Sequence, residues 1–230
     1  MKFSILSLFP EYFRGPFDVS MVKRARESGL IEIDLVDIRD FSENKWRRVD
    51  DRPYGGGPGM VLCPEPVSAA IRSVKSEKSH VIYLSPQGAP LTACKCEELS
   101  AKEHLVLLCG HYEGIDERVI RSDVDEEISI GDYVLTSGCS AAIVLLDSVI
   151  RFIPGVLGNP DGAQEDSFQK DGLFDGPQFA GPIDFEGDLV PDVLRQGNHA
   201  KIRQYRLEEA LKKTRRVRPE LAENYEKENT

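Results

Sequence analysis

The sequence predicts an α/β domain built on a mainly parallel sheet, followed by a small helical domain. Three observations carry this. Strand-like and helix-like periods alternate through about the first 159 residues, the texture then turns irregular and acidic, and a basic helical run follows.

The first strand is read from Lys2 to Leu8, where apolar and polar residues alternate, and a helix from Ser20 to Ser28 stops at Gly29. Alternating Ile31, Ile33 and Leu35 supply the next strand, which makes a β-α-β unit. The pattern repeats as helix Pro66 to Val74, strand Val81 to Leu84, helix Thr92 to Leu99 and strand Leu105 to Cys109. Helix Ile115 to Arg121, strand Glu127 to Ile130 and helix Ala141 to Arg151 complete it. Gly158 to Asp192 holds nine acids, one lysine and many Gly and Pro without a sustained period. Asn198 then offers an N-cap for a helix to about Arg216, and Pro219 opens a last short helix. The expected organisation is an α/β domain over 1–160, a linker over 161–172 and a helical domain over 173–230.

The 230 residues, 40% hydrophobic, are enough to bury a core. No apolar run approaches the length of a membrane span, and Glu11 and Arg14 follow Met1 to Phe9 too soon for a signal peptide, so the expected setting is the cytoplasm with no membrane partner. Cys63, Cys94, Cys96, Cys109 and Cys139 are odd in number and lack metal-ligand spacing, and are read as reduced thiols. The formal net charge of −10 argues against a polyanionic partner, but its distribution does not. Arg195 to Arg218 holds nine Lys/Arg against Glu208 and Glu209. On charge alone, a solvated helix face and a nucleic-acid contact remain equally open.

Between Asp50 and Met60, Gly55, Gly56, Gly57 and Gly59 lie among Asp51, Arg52 and Tyr54, with Pro53 and Pro58 restraining them. Glycine admits positive φ and lets a second molecule touch the backbone, so the segment reads as a ligand-approach loop or a plain turn. Three further loops, Tyr83 to Gly88, Gly110 to Gly114 and Ile130 to Gly138, are expected at strand carboxyl ends, where open α/β sheets bind ligands. No Gly-x-Gly-x-x-Gly follows a strand and no Lys closes the glycine cluster, so neither a dinucleotide fingerprint nor a P-loop is present. No metal site is read. Arg151 by itself reads as a helix C-terminal charge and Asp166 as a solvated acid.

Taken together, these segments resemble the bacterial tRNA (guanine-N1)-methyltransferases, which modify the guanosine at position 37 beside the anticodon. The resemblance runs through Ser7 to Pro10, Asp50 to Met60, Tyr83 to Gly88, Tyr112 to Arg118, Ile130 to Leu135, Arg151 to Gly158, Glu165 to Phe168 and Gly197 to Ala200. It implies the SPOUT superfamily fold, with a deep trefoil knot at the sheet's carboxyl edge and a homodimer sharing two active sites. It implies S-adenosylmethionine held by Tyr83, Leu84, Ser85, Pro86, Gly110, Tyr112, Glu113, Ile130, Gly131, Asp132, Tyr133, Val134, Leu135 and Gly138. It assigns tRNA contacts to Asp50, Tyr54, Gly55, Gly56, Gly57, Gly59, Met60, Ser167, Asn198, His199 and Arg203. The expected substrate is a tRNA with G at positions 36 and 37, and a divalent ion such as Mg²⁺ is implied without a place for it.

Guanine N1 carries a proton at neutral pH, so a base must remove it and a cation should steady the charge developing on O6. By resemblance Asp166 is that base and Arg151 that cation. An ordinary aspartate, with pKa about 3.9, is a weak base for this proton, so water exclusion or positioning must supply its effect. The chain departs from the family pattern at Ser137-Gly138-Cys139, where Gly-Gly-Glu is usual, and at Ala141, where proline is usual. It departs again at Gln178 to Pro182 in place of His-Tyr-Thr-Arg-Pro, after a one-residue insertion near Lys170. An RNA-binding module that kept the scaffold without activity is the alternative reading, and a phosphate-binding enzyme lacks its lysine.

Overall fold

The computed structural model describes residues 1–159, 162–169 and 172–228. It divides into two compact units, Met1–Gly158 and Asn159–Thr230. In the first unit, strand β1 (Lys2–Ser7) is followed by helix α1 (Ser20–Glu27) and strand β2 (Glu32–Asp37). A short hairpin of β3 (Asp50–Asp51) and β4 (Val61–Leu62) precedes helix α2 (Pro64–Val74). Then come β5 (Ser79–Pro90), α3 (Ala93–Ser100), β6 (His104–Cys109), α4 (Glu117–Asp123), β7 (Glu126–Ser129) and α5 (Cys139–Ile150).

Five strands form one sheet in the order β2-β1-β6-β5-β7, and every pair is parallel. Both faces are covered, which explains why the strands read as nearly unbroken apolar runs. Phe3, Ile5, Ile82, Leu84, Leu105 and Leu107 point to one face, where Val22 and Ala25 of α1, Leu99 of α3 and Leu145 and Val149 of α5 cover them. The intervening Leu6, Val81, Tyr83, Val106 and Leu108 meet Val67, Ala70 and Ile71 of α2 and Val119 of α4.

Several elements run differently from their sequence expectation. The Tyr83 to Gly88 segment is expected to follow a strand, but it lies inside one. Leu84 and Ala89 both pair with Ile128, so Ser85 to Gly88 bulge out and β5 then resumes to Pro90. The turn residues in that bulge read locally as a strand end, because only the pairing with β7 continues the strand. Helix α4 starts two residues later than expected because Asp116 caps it, its side chain accepting from Arg118 N at 2.9 Å. The β3–β4 hairpin has no signal in its two-residue strands.

The second unit holds a hairpin of β8 (Asp184–Phe185) and β9 (Asp188–Leu189), then α6 (Asp192–Arg195), α7 (His199–Val217) and α8 (Pro219–Glu228). The hairpin lies in the segment read as lacking a period, and Glu186 and Gly187 turn it with φ of +56° and +88°. Asn198 Oδ1 accepts from Lys201 N at 3.2 Å and caps α7. Buried Ala210, Thr214 and Ala222 lie on α7 and α8, and Arg215 pairs with Glu226 between those helices. Of the expected linker 161–172, Asp161, Lys170 and Asp171 lie outside the described residues, as does Pro160 at the domain boundary.

Candidate active site

The carboxyl edge of the sheet is closed by chain that returns to it. After β7 the backbone runs back past β5 to β6, where Gly138 N donates to Gly110 O at 2.8 Å and Ser137 bridges His111. Helix α5 starts from that point. The bulge of β5, the segment after β6 and this returning segment enclose a cavity of about 370 Å³. Such a volume suits a small cofactor or substrate.

Close backbone approach builds its walls. A Cβ on Gly138 would lie 3.0 Å from Cys109 Cα, one on Gly110 2.9 Å from the Tyr83 hydroxyl, and one on Gly88 2.5 Å from the Glu127 carbonyl carbon. Of the residues expected to hold a cofactor, Tyr83 to Pro86, Gly110, Tyr112, Glu113, Ile130, Gly131, Tyr133 to Leu135 and Gly138 line the cavity, whereas Asp132 does not. Gln87, His111, Gly114, Thr136 and Ser137 also line it, within the three loops expected to outline a pocket, whereas Ile115, Glu117, Glu127, Ser129 and Ala141 line it from outside those loops and sequence reasoning missed them. Each lies in or beside a segment already singled out, so neighbourhood was the available signal.

Two of the titratable groups at the cavity are held neutral, while Glu113, Glu117 and Glu127 also line it. Burial, with Glu127 nearby, pushes the Tyr83 phenol up to about 12, so it stays protonated. Burial and then Arg39 lower the pKa of His111, which favours the neutral imidazole. Beneath Gly138, Cys139 begins α5 and its Sγ lies 3.1 Å from Ser7 Oγ. Hydrogen bonding from Cys109 leads in lowering the Cys139 thiol to about 6, while the same contact and burial push Cys109 up. Cys139 thus places an acidic thiol where the family pattern carries glutamate.

The glycine-rich loop is tied to the same wall. It forms the tip of the β3–β4 hairpin, and Leu62 N donates to Gly114 O at 3.0 Å while Glu113 N donates to Met60 O at 3.0 Å. Gly55, Gly56, Gly57 and Gly59 all take positive φ, between +79° and +115°, and Tyr54 is fully exposed beside them. The loop therefore presents backbone and one aromatic ring to solvent next to the cavity wall. Asp50 opens β3, and Met60 lies between the loop and β4.

Arg151 caps the far end of α5 and is exposed. It lies twelve positions beyond Cys139 at the cavity end of the helix, a rise of about 18 Å. It does not line the cavity of its own chain. In the second unit, exposed Asp166 lies in a turn, its carbonyl accepting from Gln169 N at 3.3 Å. Ser167 Oγ accepts from Asp175 N at 2.9 Å, and Phe168 stacks edge-on against Phe174 at 5.6 Å. His199 and Arg203 lie exposed in the first turns of α7. Four of the nine basic residues from Arg195 to Arg218 are ion-paired: Arg195 to Asp192, Lys212 to Glu209, Arg215 to Glu226 and Arg218 to Glu220. Among the described residues no helix is long and apolar enough to cross a membrane, and no group of three or more His, Cys, Asp or Glu could hold a metal ion.

A doubly covered parallel sheet with a glycine-walled cavity at its carboxyl edge defines an α/β protein whose cavity stands where such sheets hold their ligands. Comparison with known proteins narrows the class. Residues 1–224 match the family described as tRNA (Guanine-1)-methyltransferase TrmD. The chain is 62% identical to the tRNA (guanine-N(1)-)-methyltransferase of Protochlamydia amoebophila, covering 96% of this chain and 99% of that one. It is 55% identical to the protein of the same name from Dictyoglomus turgidum, over 97% and 90% of the two chains. It is 59% identical to that of Chlamydia pneumoniae over 98% of this chain but 62% of the relative, which is longer. The chain belongs to the tRNA (guanine-1)-methyltransferase family.

Proposed function

We propose that this protein transfers a methyl group from S-adenosylmethionine to N1 of guanosine 37 in tRNA. The observation that carries the reading is the cavity itself: its backbone-rich walls stand where a chain of this family needs a small cofactor. The cavity fits that cofactor in size and in lining, because Gly110 and Gly138 let Tyr83 and the Cys109–Gly110 backbone close up behind its wall, and that wall mixes backbone groups with polar and apolar side chains. When bound, S-adenosylmethionine supplies the methyl group as a sulfonium electrophile.

The chain's own residues do the rest. Asp166 accepts the N1 proton, leaving the electron pair on N1 as the nucleophile, and the Arg151 guanidinium steadies the negative charge reaching O6. The target base must leave the stacked anticodon loop to meet these groups. The Gly55 to Gly59 loop, together with Asp50, Tyr54 and Met60, forms the wall that receives it. The positive φ values let that backbone lie close to a flat base. Ser167, Asn198, His199 and Arg203 stand on the side of the tRNA backbone, with the basic face of α7 supplying phosphate contacts. A guanosine at position 36 completes the expected recognition element.

A homodimer follows from the same reading. Arg151 is about 18 Å along α5 from the cavity, so the cation for one cavity has to come from a second copy, and each pair of chains makes two sites. We assign to the chain's return across the carboxyl edge the deep trefoil knot of the SPOUT superfamily, and to the protein a cytoplasmic setting with its tRNA. The divalent ion that the resemblance implies has no place here, since among the described residues no group of three or more His, Cys, Asp or Glu stands together.

The test is a methylation assay on anticodon-loop variants in which position 37 and its 5′ neighbour are replaced in turn. Loss of methyl transfer on replacing G37, and strong impairment on replacing G36, support the reading. Undiminished transfer to the G37 variant contradicts it.

A further inference from the structure

The turn before β3 carries the chain's single tryptophan, and Trp46 is 78% exposed. A side chain of this size usually buries most of its surface. The backbone under it is nevertheless held firmly. Asn44 Oδ1 accepts from Trp46 N at 2.8 Å, Asn44 O accepts from Arg47 N at 2.7 Å, and Arg47 takes φ +54°. Arg47 is paired with Asp37 at 3.0 Å and with Asp40. Arg48 donates to Asp50 O and to the Asp51 carboxylate, each at 2.7 Å, and Val49 is fully buried. The indole therefore stands on a turn fixed from both sides, and Lys45 Nζ lies 5.0 Å from its ring centroid.

A rigidly presented aromatic face with a cation beside it has the makeup of a platform for an unpaired base, where stacking and charge act together. Arg47 and Arg48 are taken up by Asp37, Asp40 and Asp51, so the cation offered beside the ring is Lys45, which has no ion-pair partner among the described residues and suits a phosphate next to a stacked base. The turn also leads directly into β3, whose partner β4 is hydrogen-bonded to the cavity wall. We propose that Trp46 is a stacking platform for an unpaired nucleobase of the substrate RNA other than the methylated guanine, with Lys45 serving the adjacent phosphate. The inference rests on the reading of the protein as an RNA methyltransferase.

Because Trp46 is the only tryptophan, its emission reports this site alone. Titration with an anticodon stem-loop containing the target guanine quenches that emission, whereas a fully paired RNA duplex of equal charge does not. Trp46→Ala raises KM for tRNA by about 5- to 100-fold, leaves S-adenosylmethionine affinity unchanged, and is largely rescued in Trp46→Phe. Emission indifferent to the stem-loop, equal quenching by the duplex, or an unchanged KM overturns the inference, even where the wild-type protein methylates tRNA normally and the functional reading stands. A Trp46→Ala protein with an altered association state assigns the indole to a protein interface and also overturns it. Absence of methyl transfer by the wild-type protein removes the functional reading and the inference with it.

Discussion

At the scale of single residues, Asp166 and Arg151 carry the chemistry in this account while the glycines shape the space for it. Removing the base as Asp166→Asn should lower kcat by about 10²- to 10⁴-fold while calorimetric titration finds S-adenosylmethionine affinity intact. Turnover close to wild type removes Asp166 from that role. The glycines divide by physical cause. An alanine at Gly88 drives a Cβ into the β7 backbone at Glu127 and Ile128, which cannot move without opening the sheet. Gly88→Ala should cost about 1–3 kcal/mol in urea unfolding and weaken cofactor binding. At Gly55 the added Cβ meets open space and only the φ of +86° is strained, so Gly55→Ala should cost about 1–2 kcal/mol and spare the cofactor. The glycine cluster and the three loops were legible because glycine density and flanking strands show in the sequence. Trp46 was not, since only its fixed turn and its exposure distinguish it from a core tryptophan.

At the scale of elements, His104 shows how the sheet is fastened and why its stability depends on pH. It opens β6, and its ring bridges Ser4 Oγ of β1 at 2.9 Å and Ser79 Oγ of β5 at 2.7 Å. Burial lowers its pKa below the ordinary 6.5, so the folded protein holds the neutral ring more strongly than the unfolded chain does. Its contribution to stability is complete above about pH 6.5 and is lost as pH falls through the folded value. Thermal unfolding at pH 7.5 and pH 5 should show a smaller acid loss in His104→Gln than in wild type. An equal loss in both assigns the acid sensitivity to carboxylates alone. The parallel sheet was legible from apolar runs such as Leu105 to Cys109, which only a doubly covered strand explains. The β5 bulge was not, because Ser85 to Gly88 read as a strand end until Ile128 is seen pairing with both Leu84 and Ala89.

At the scale of the whole molecule, charge and assembly set the behaviour. With its cations gathered on α7, a chain of net charge −10 should bind tRNA with an affinity that falls steeply as salt rises. Reversing Lys213 and Arg216, both exposed, should flatten that slope and weaken binding, measured by filter binding from 50 to 200 mM salt. An unchanged slope makes the island a solvated face. The second chain proposed above was invisible to periodicity and charge. It rests on the length of α5, which separates Arg151 from the cavity at the helix's other end. Mixing inactive Arg151→Ala and Asp166→Asn proteins tests it, because mixed pairs should recover part of the activity where the two residues serve one site from different copies.

The most direct measurement is the chemical identity of the product. Wild-type protein, S-adenosylmethionine and a tRNA carrying G36 and G37 are incubated, the RNA is digested to nucleosides, and these are separated with mass detection. One new nucleoside, 1-methylguanosine, is expected in stoichiometry approaching one per tRNA. No methylated nucleoside, or a methyl group on a different atom or base, contradicts it.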